Sequence, residues 1–169
     1  MVLKTILNPG EEVILLSPYF VEYGYYVDNH AGVPVVVATR EDFQPDMATI
    51  EAAITSKTRA MIINSPNNPT GVVYPSASLQ QLADLLHRKQ TEYGNQIYLI
   101  SDEPYRRIIF ANLTYPQVFP HYENTIVVTS HAKDLALPGE RIGYIAVNPN
   151  CPDRQELANG LTFCNRTLG

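Results

Sequence analysis

The chain has 169 residues, 45% of them hydrophobic, enough for one domain around a single core and too few for two of ordinary size. With 17 acidic against 12 basic residues the net charge is −5, so no basic stripe is available to neutralise a phosphate backbone and nucleic acid is not an expected partner. The apolar runs are far shorter than a membrane span, MVLKTILNPGEE lacks a signal-peptide cleavage pattern, and Cys151 and Cys164 show neither CxxC spacing nor histidine partners; a cytoplasmic protein with reduced thiols, no membrane segment and no metal site is expected.

In chain order, the first apolar run is EEVILLS at 11–17, with Phe20 just beyond it in LLSPYFVEY. PVVVAT at 34–39 is the second, read like the first as a buried strand. Asp46 then opens a helix carrying Ile50 and Ile54, and AMIIN at 60–64 leads into INSPNNPTG. Ser76 opens a longer helix with Leu79, Leu82, Leu85 and Leu86 on one side, and Gly94 stops it. QIYLIS at 96–101 runs into ISDEPY, and TIVVTS at 125–130 runs into SHAKDLALPGERIGY. RIGYIAV at 141–147 follows a Pro- and Gly-containing connection that is marginal for a helical crossover, so an antiparallel return is expected there. A turn from Pro149 to Asp153 precedes a final helix-like stretch. Apolar runs that are continuous rather than alternating, with helices between them, predict an α/β fold: a mostly parallel sheet with helices on both faces and no internal domain boundary.

In such sheets ligands bind beyond the carboxyl ends of the strands, where loops leave and helix N-termini point their amides. Three successive strands here end in chemistry. AMIIN is followed by Asn67 and Asn68, QIYLIS by Asp102 and Tyr105, and TIVVTS by Ser130 and Lys133, with Arg141 eight residues further on. Asn, Asp, Ser, Pro and Gly are also ordinary turn residues, and for any one loop that reading would prevail. An amine, a carboxylate, a phenol, an amide and a guanidinium arriving together at one edge favour a site. They suit a cofactor with an aldehyde, a pyridine nitrogen, a phenolic oxygen and a phosphate, as in pyridoxal 5'-phosphate.

The motifs SPNNPTG, DEPY and SHAKDLALPGERIGY, in that order and spacing, resemble the central part of the class I and II aminotransferases, fold type I pyridoxal-phosphate enzymes. The resemblance covers nearly the whole chain. It implies that Lys133 forms the Schiff base with the cofactor and moves the substrate proton, which requires an environment that lowers its proton affinity. It implies that Asp102 pairs with the pyridine nitrogen, that Tyr105 and Asn68 donate to the phenolic oxygen, and that Ser130 and Arg141 hold the phosphate, Arg141 through its planar fork. Phe20 matches the position of an aromatic stacked on the ring, a role that Tyr19 or Tyr23 could also claim. The same resemblance implies amino-acid and 2-oxo-acid substrates and a homodimer. It makes residues 1–169 a partial cofactor-binding large domain. A glycine-rich phosphate loop would precede Met1, and a small domain with the substrate-carboxylate arginine would follow Gly169.

Ala132 stands where many members of that family have serine, which removes one expected phosphate contact. Gly139 and Gly143 are read as turn residues, His131 as a satisfied or solvated side chain, and Arg106 and Arg107 as solvated charges on the next element. The readings left open are a transaminase, a carbon–sulfur lyase with the same motifs, a non-catalytic ligand-sensing domain, and a fragment that neither binds nor catalyses.

Overall fold

The computed structural model describes residues 1–110 and 113–168. Its centre is a six-stranded sheet formed by β1 (Glu12–Ser17), β2 (Val33–Ala38), β3 (Thr58–Asn64), β4 (Tyr98–Asp102), β5 (Thr125–Ser130) and β6 (Gly143–Val147), in the order β2-β1-β3-β4-β5-β6. All neighbours pair in parallel except β5 and β6, which are antiparallel with Ser130 opposite Gly143. All six expected strands form, and the return after TIVVTS is the antiparallel one that its short connection predicts.

Successive strand side chains point to opposite faces, so each continuous apolar run serves two cores. Ile14 and Leu16 of β1, Met61 and Ile63 of β3, and Leu99 of β4 join one cluster. Val13 and Leu15, Ala60 and Ile62, and Tyr98 and Ile100 join the other. Helices α3 (Met47–Ala53) and α4 (Ser76–Tyr93) cover the first face with Ile50, Leu79, Leu82, Ala83, Leu85 and Leu86. The second is covered by α1 (Val2–Ile6), α2 (Glu22–Asp28) and α6 (Arg154–Leu168), through Val2, Leu3, Ile6, Tyr23, Val27, Leu157 and Leu161. α2 is short, carries a glycine and aromatic residues, and has no clear apolar period, which is why pattern reading passes over it.

The ends of the helices follow their sequence signals. Asp46 caps α3, its side chain accepting from the Ala48 and Thr49 amides. Gly94 closes α4 in the left-handed region at φ 66°, where an L side chain would be strained. One strand differs from its sequence reading. PVVVAT is a sheet edge rather than a buried strand, with Val33 45% and Val36 54% exposed and only Val37 fully packed. Composition cannot separate an edge strand of β-branched residues from a central one, because both satisfy the same backbone preference.

The strand order reverses direction between β1 and β3, since the chain first adds β2 on one side of β1 and then continues on the other. A crevice beyond the carboxyl ends of the strands is expected at such a switch point. The loops after β1, β3, β4 and β5 all leave from that edge. Arg141, two residues before antiparallel β6, enters from the same edge because Gly143 lies opposite Ser130.

Candidate active site

Asp102 ends β4, and its carboxylate is largely withdrawn from water. Its Oδ2 accepts a hydrogen bond from the hydroxyl of Tyr23, in the first turn of α2. Burial pushes the Asp102 carboxyl from its ordinary value of 3.8 up to about 6. The Tyr23 hydrogen bond opposes that rise, and the neighbouring Glu103 charge adds to it. Burial in turn raises the Tyr23 phenol well above its usual range, with the Asp102 charge beside it contributing.

Asn64, the last residue of β3, was not singled out by the motifs and is the joint of this part of the site. Only 3% exposed, it donates through Nδ2 to the Asp102 carbonyl at 2.9 Å, while its Oδ1 accepts from the Asn68 amide at 2.7 Å. The loop after β3 is thereby tied to the end of β4. Asn68 Nδ2 in turn lies 3.5 Å from the Tyr105 hydroxyl, at the long limit of a hydrogen bond. Asn67 folds the loop back on itself, its Oδ1 accepting from the Thr70 amide and hydroxyl, and its Nδ2 reaches the Pro18 carbonyl at 3.4 Å in the loop after β1. Gly71 completes the turn at φ 76°. Asn67 is therefore a loop-builder, and Asn68 is the residue offered outward.

Phe20 lies on the loop after β1, edge-on to Tyr23 with ring centroids 5.6 Å apart. Of the three aromatics considered for stacking, Tyr23 is committed to Asp102 through its hydroxyl, which leaves Phe20 and Tyr19.

The turn after β5 is more open. Ser130 caps the one-turn helix α5 (His131–Asp134), its Oγ accepting from the Ala132 amide at 3.1 Å. Lys133 is exposed on α5, and among the described residues its side chain has no hydrogen-bond or ion-pair partner. The nearly buried Asp134 carboxylate anchors that turn between His131 Nδ1 at 3.3 Å and Arg107 Nε at 3.8 Å. Arg106 sits 3.6 Å from buried Glu103 and over the Tyr144 ring. His131 is thus a satisfied side chain, whereas Arg106 and Arg107, read from sequence as solvated charges, are each paired with an acidic side chain.

Arg141 follows the 3-10 turn Pro138–Glu140 and sits in the left-handed region at φ 53°, its guanidinium exposed and donating to the Pro138 carbonyl at 3.2 Å. The positive φ of this connection falls on Ala136 and Arg141 and not on Gly139. Gly143 has a different purpose from the turn expected of it: a Cβ there would lie 2.2 Å from the Thr129 carbonyl oxygen, so it permits the close approach of β6 to β5.

A cleft of about 920 Å³ opens beside this edge, lined by Tyr23, Asp102, Thr129, Arg141 and Tyr144, and runs down the second face of the sheet past Ile62, Ile100 and Val128 to α1 and α6. Of the expected site residues it takes in Asp102 and Arg141. Phe20, Asn68, Tyr105, Ser130 and Lys133 lie outside its lining. Among the described residues no group of histidine, cysteine and acidic side chains has metal-binding spacing, and no helix is long and apolar enough to cross a membrane.

A parallel sheet with a switch-point crevice, a buried acid at the end of one strand and a lysine turn after the next is the arrangement of a transaminase large domain, and the family model for aminotransferase class I and II matches residues 1–168. The chain belongs to that family. It is 43% identical over 143 residues to a probable aspartate/prephenate aminotransferase of Thermus aquaticus, covering 83% of this chain and 36% of that protein. Among solved structures, an amino transferase from Eubacterium rectale superposes with a TM-score of 0.96 at 40% identity, over 99% of this chain and 42% of that one. An aromatic aminotransferase from Pyrococcus horikoshii superposes with a TM-score of 0.84 at 31% identity, over 99% and 43%. The chain spans about two fifths of the length of these relatives.

Proposed function

We propose that the full-length protein is a pyridoxal-phosphate-dependent amino-acid transaminase that moves an amino group from an amino acid to a 2-oxo acid, with Lys133 as its reactive amine. The observation that carries this reading is the buried Asp102 carboxylate, with the Asn68–Tyr105 pair tied to the same strand end through Asn64 and Arg141 on the same cleft. That donor set fits the cofactor: a carboxylate for a pyridine nitrogen, an amide and a phenol for a phenolic oxygen, and a guanidinium for a phosphate. When bound, pyridoxal phosphate supplies an aldehyde that captures amines and a ring that accepts electrons from the substrate α-carbon.

The chain's own residues divide the rest of the work. Lys133 Nζ, free of structural partners, is the amine displaced by substrate and the base that takes the α-proton. Asp102, as an anion, keeps the pyridine nitrogen protonated. Asn68 and Tyr105 orient the phenolic oxygen. Arg141 grips the phosphate, helped by the Ser130 hydroxyl, whose oxygen caps α5 while its hydrogen remains to be donated. Phe20 packs on the ring. Residues 1–169 then form part of the large domain, with a small domain and further site residues supplied by the rest of a cytoplasmic homodimer.

The names of the relatives make aspartate the first donor to test and an aromatic amino acid the second. They favour transamination over carbon–sulfur elimination, since keto-acid formation without loss of a side-chain group is what such enzymes catalyse. The direct test adds pyridoxal phosphate to the full-length protein, follows the visible absorbance band, reduces with borohydride and maps the labelled peptide. The reading requires a saturable band and a label on Lys133; a label elsewhere, or no band in folded protein, overturns it.

A further inference from the structure

Tyr23 belongs to none of the motifs that define the site, yet its phenol is the side-chain group that hydrogen-bonds Asp102. It is held there firmly. The residue is 7% exposed, its ring meets Phe20 edge-on, and its amide donates to the Phe20 carbonyl at 3.0 Å, so the first turn of α2 aims the hydroxyl at the end of β4. Among the described residues Asp102 Oδ1 makes no hydrogen bond, and the residue borders the cleft. One carboxylate oxygen is anchored and the other is left for a ligand.

We propose that Tyr23 is a positioning residue for Asp102: its hydroxyl fixes the carboxylate through Oδ2, stabilises it as an anion in a buried position, and leaves Oδ1 directed to the pyridine nitrogen of the cofactor. The proposal rests on the functional reading above. The need for such a donor is visible in the surroundings. Burial and the adjacent buried Glu103 both disfavour the Asp102 anion, and the Tyr23 hydrogen bond is the opposing influence. The other titratable side chains lining the cleft are Tyr26 and His30 from α2 and the turn after it, Arg141 before β6 and Tyr144 in β6, and Tyr105 after β4 lies near Tyr23 outside the lining. None of these hydrogen-bonds the Asp102 side chain.

Tyr23→Phe keeps the ring and its packing against Phe20 and removes only the donor. In full-length protein freed of cofactor and labelled with 13C at aspartate side-chain carboxyls, the Asp102 titration midpoint should rise by about one to two pH units in the variant, the worth of a hydrogen bond to a buried charge. Pyridoxal-phosphate affinity at neutral pH should fall about tenfold and recover as pH is raised, a profile that a general loss of packing would not produce. Replacing Tyr23 by 3,5-difluorotyrosine, a more acidic phenol and stronger donor, should move the midpoint in the opposite direction. An unmoved midpoint in Tyr23→Phe, with the parent protein binding the cofactor normally, overturns the role of Tyr23 alone. A parent protein that binds no pyridoxal phosphate overturns the functional reading and the cofactor half of this proposal together, whatever the midpoint does.

Discussion

The loops after β3 and β4 and the loop after β5 leave the same edge of the sheet, and they are built differently. The first two are locked. Asn64 bridges them, Asn67 reaches a third loop through Pro18, and Tyr23 pins the Asp102 carboxylate from the helix side. The third is a single helical turn followed by exposed Leu135, Leu137 and Arg141, anchored chiefly by Asp134. The groups proposed to tune a cofactor thus sit in the rigid part, where a fraction of an ångström matters to hydrogen bonding. The groups proposed to react with it or hold its phosphate, Lys133 and Arg141, sit in the open part, where the protein itself makes few demands on them.

The comparison would break most visibly at Lys133. Lys133→Ala in the full-length protein should lower turnover by about 10³-fold or more, with thermal stability unchanged, because the side chain is exposed and among the described residues makes no hydrogen bond or ion pair. Steady-state rates alongside a melting curve check both halves, and retained turnover would end the assignment.

A second contrast is in packing. Leu82→Ala, at a fully buried position of α4, should cost about 2–5 kcal/mol in denaturant unfolding, whereas Leu137→Ala, on the connection after α5, should stay within about 0.5 kcal/mol. Comparable losses would mean that the open loop is as tightly packed as the core.

A third concerns charge. The Asp102 carboxyl is raised to about 6 in the folded protein from an ordinary value of 3.8, so the folded state holds a proton that the unfolded chain has already released. Its stabilising contribution is complete below about 3.8 and is lost as pH rises through about 6, a fall of about 2–3 kcal/mol. Asp102→Asn should remove that slope between those values, measured by denaturant unfolding across pH. An unchanged slope would show the carboxyl to be better solvated than its position implies.

The smallest effect belongs to a cap remote from the site. Asp46→Ala should lower stability by about 1 kcal/mol by orphaning the Ala48 and Thr49 amides, while leaving cofactor binding untouched.

The expected residues divide along the same line. Asp102, Asn68 and Tyr105 were legible because each follows an apolar run within a motif, and a strand end is where such a residue must leave the sheet. Asn64 and Tyr23 were not. Asn64 reads as the end of a strand, and Tyr23 as one aromatic among 11 tyrosines on a segment without helical period. Their importance lies in partners 38 and 79 residues away in the chain, which no local pattern announces. Gly143 was legible as special but not for its reason, since the Thr129 carbonyl that excludes a side chain there comes from the neighbouring strand.

What the sequence determined by itself was the class of fold, the six strands, helices α3, α4 and α6, the antiparallel return and the edge at which chemistry collects, because these follow from apolar periodicity, caps, connection lengths and motifs of adjacent residues. The tertiary structure alone decided which strands are the edges, which oxygen of Asp102 is held and by what, and how Asn64 couples two loops. Those depend on pairwise distances across the sheet, and a linear pattern fixes which residues face a layer without fixing which of them touch.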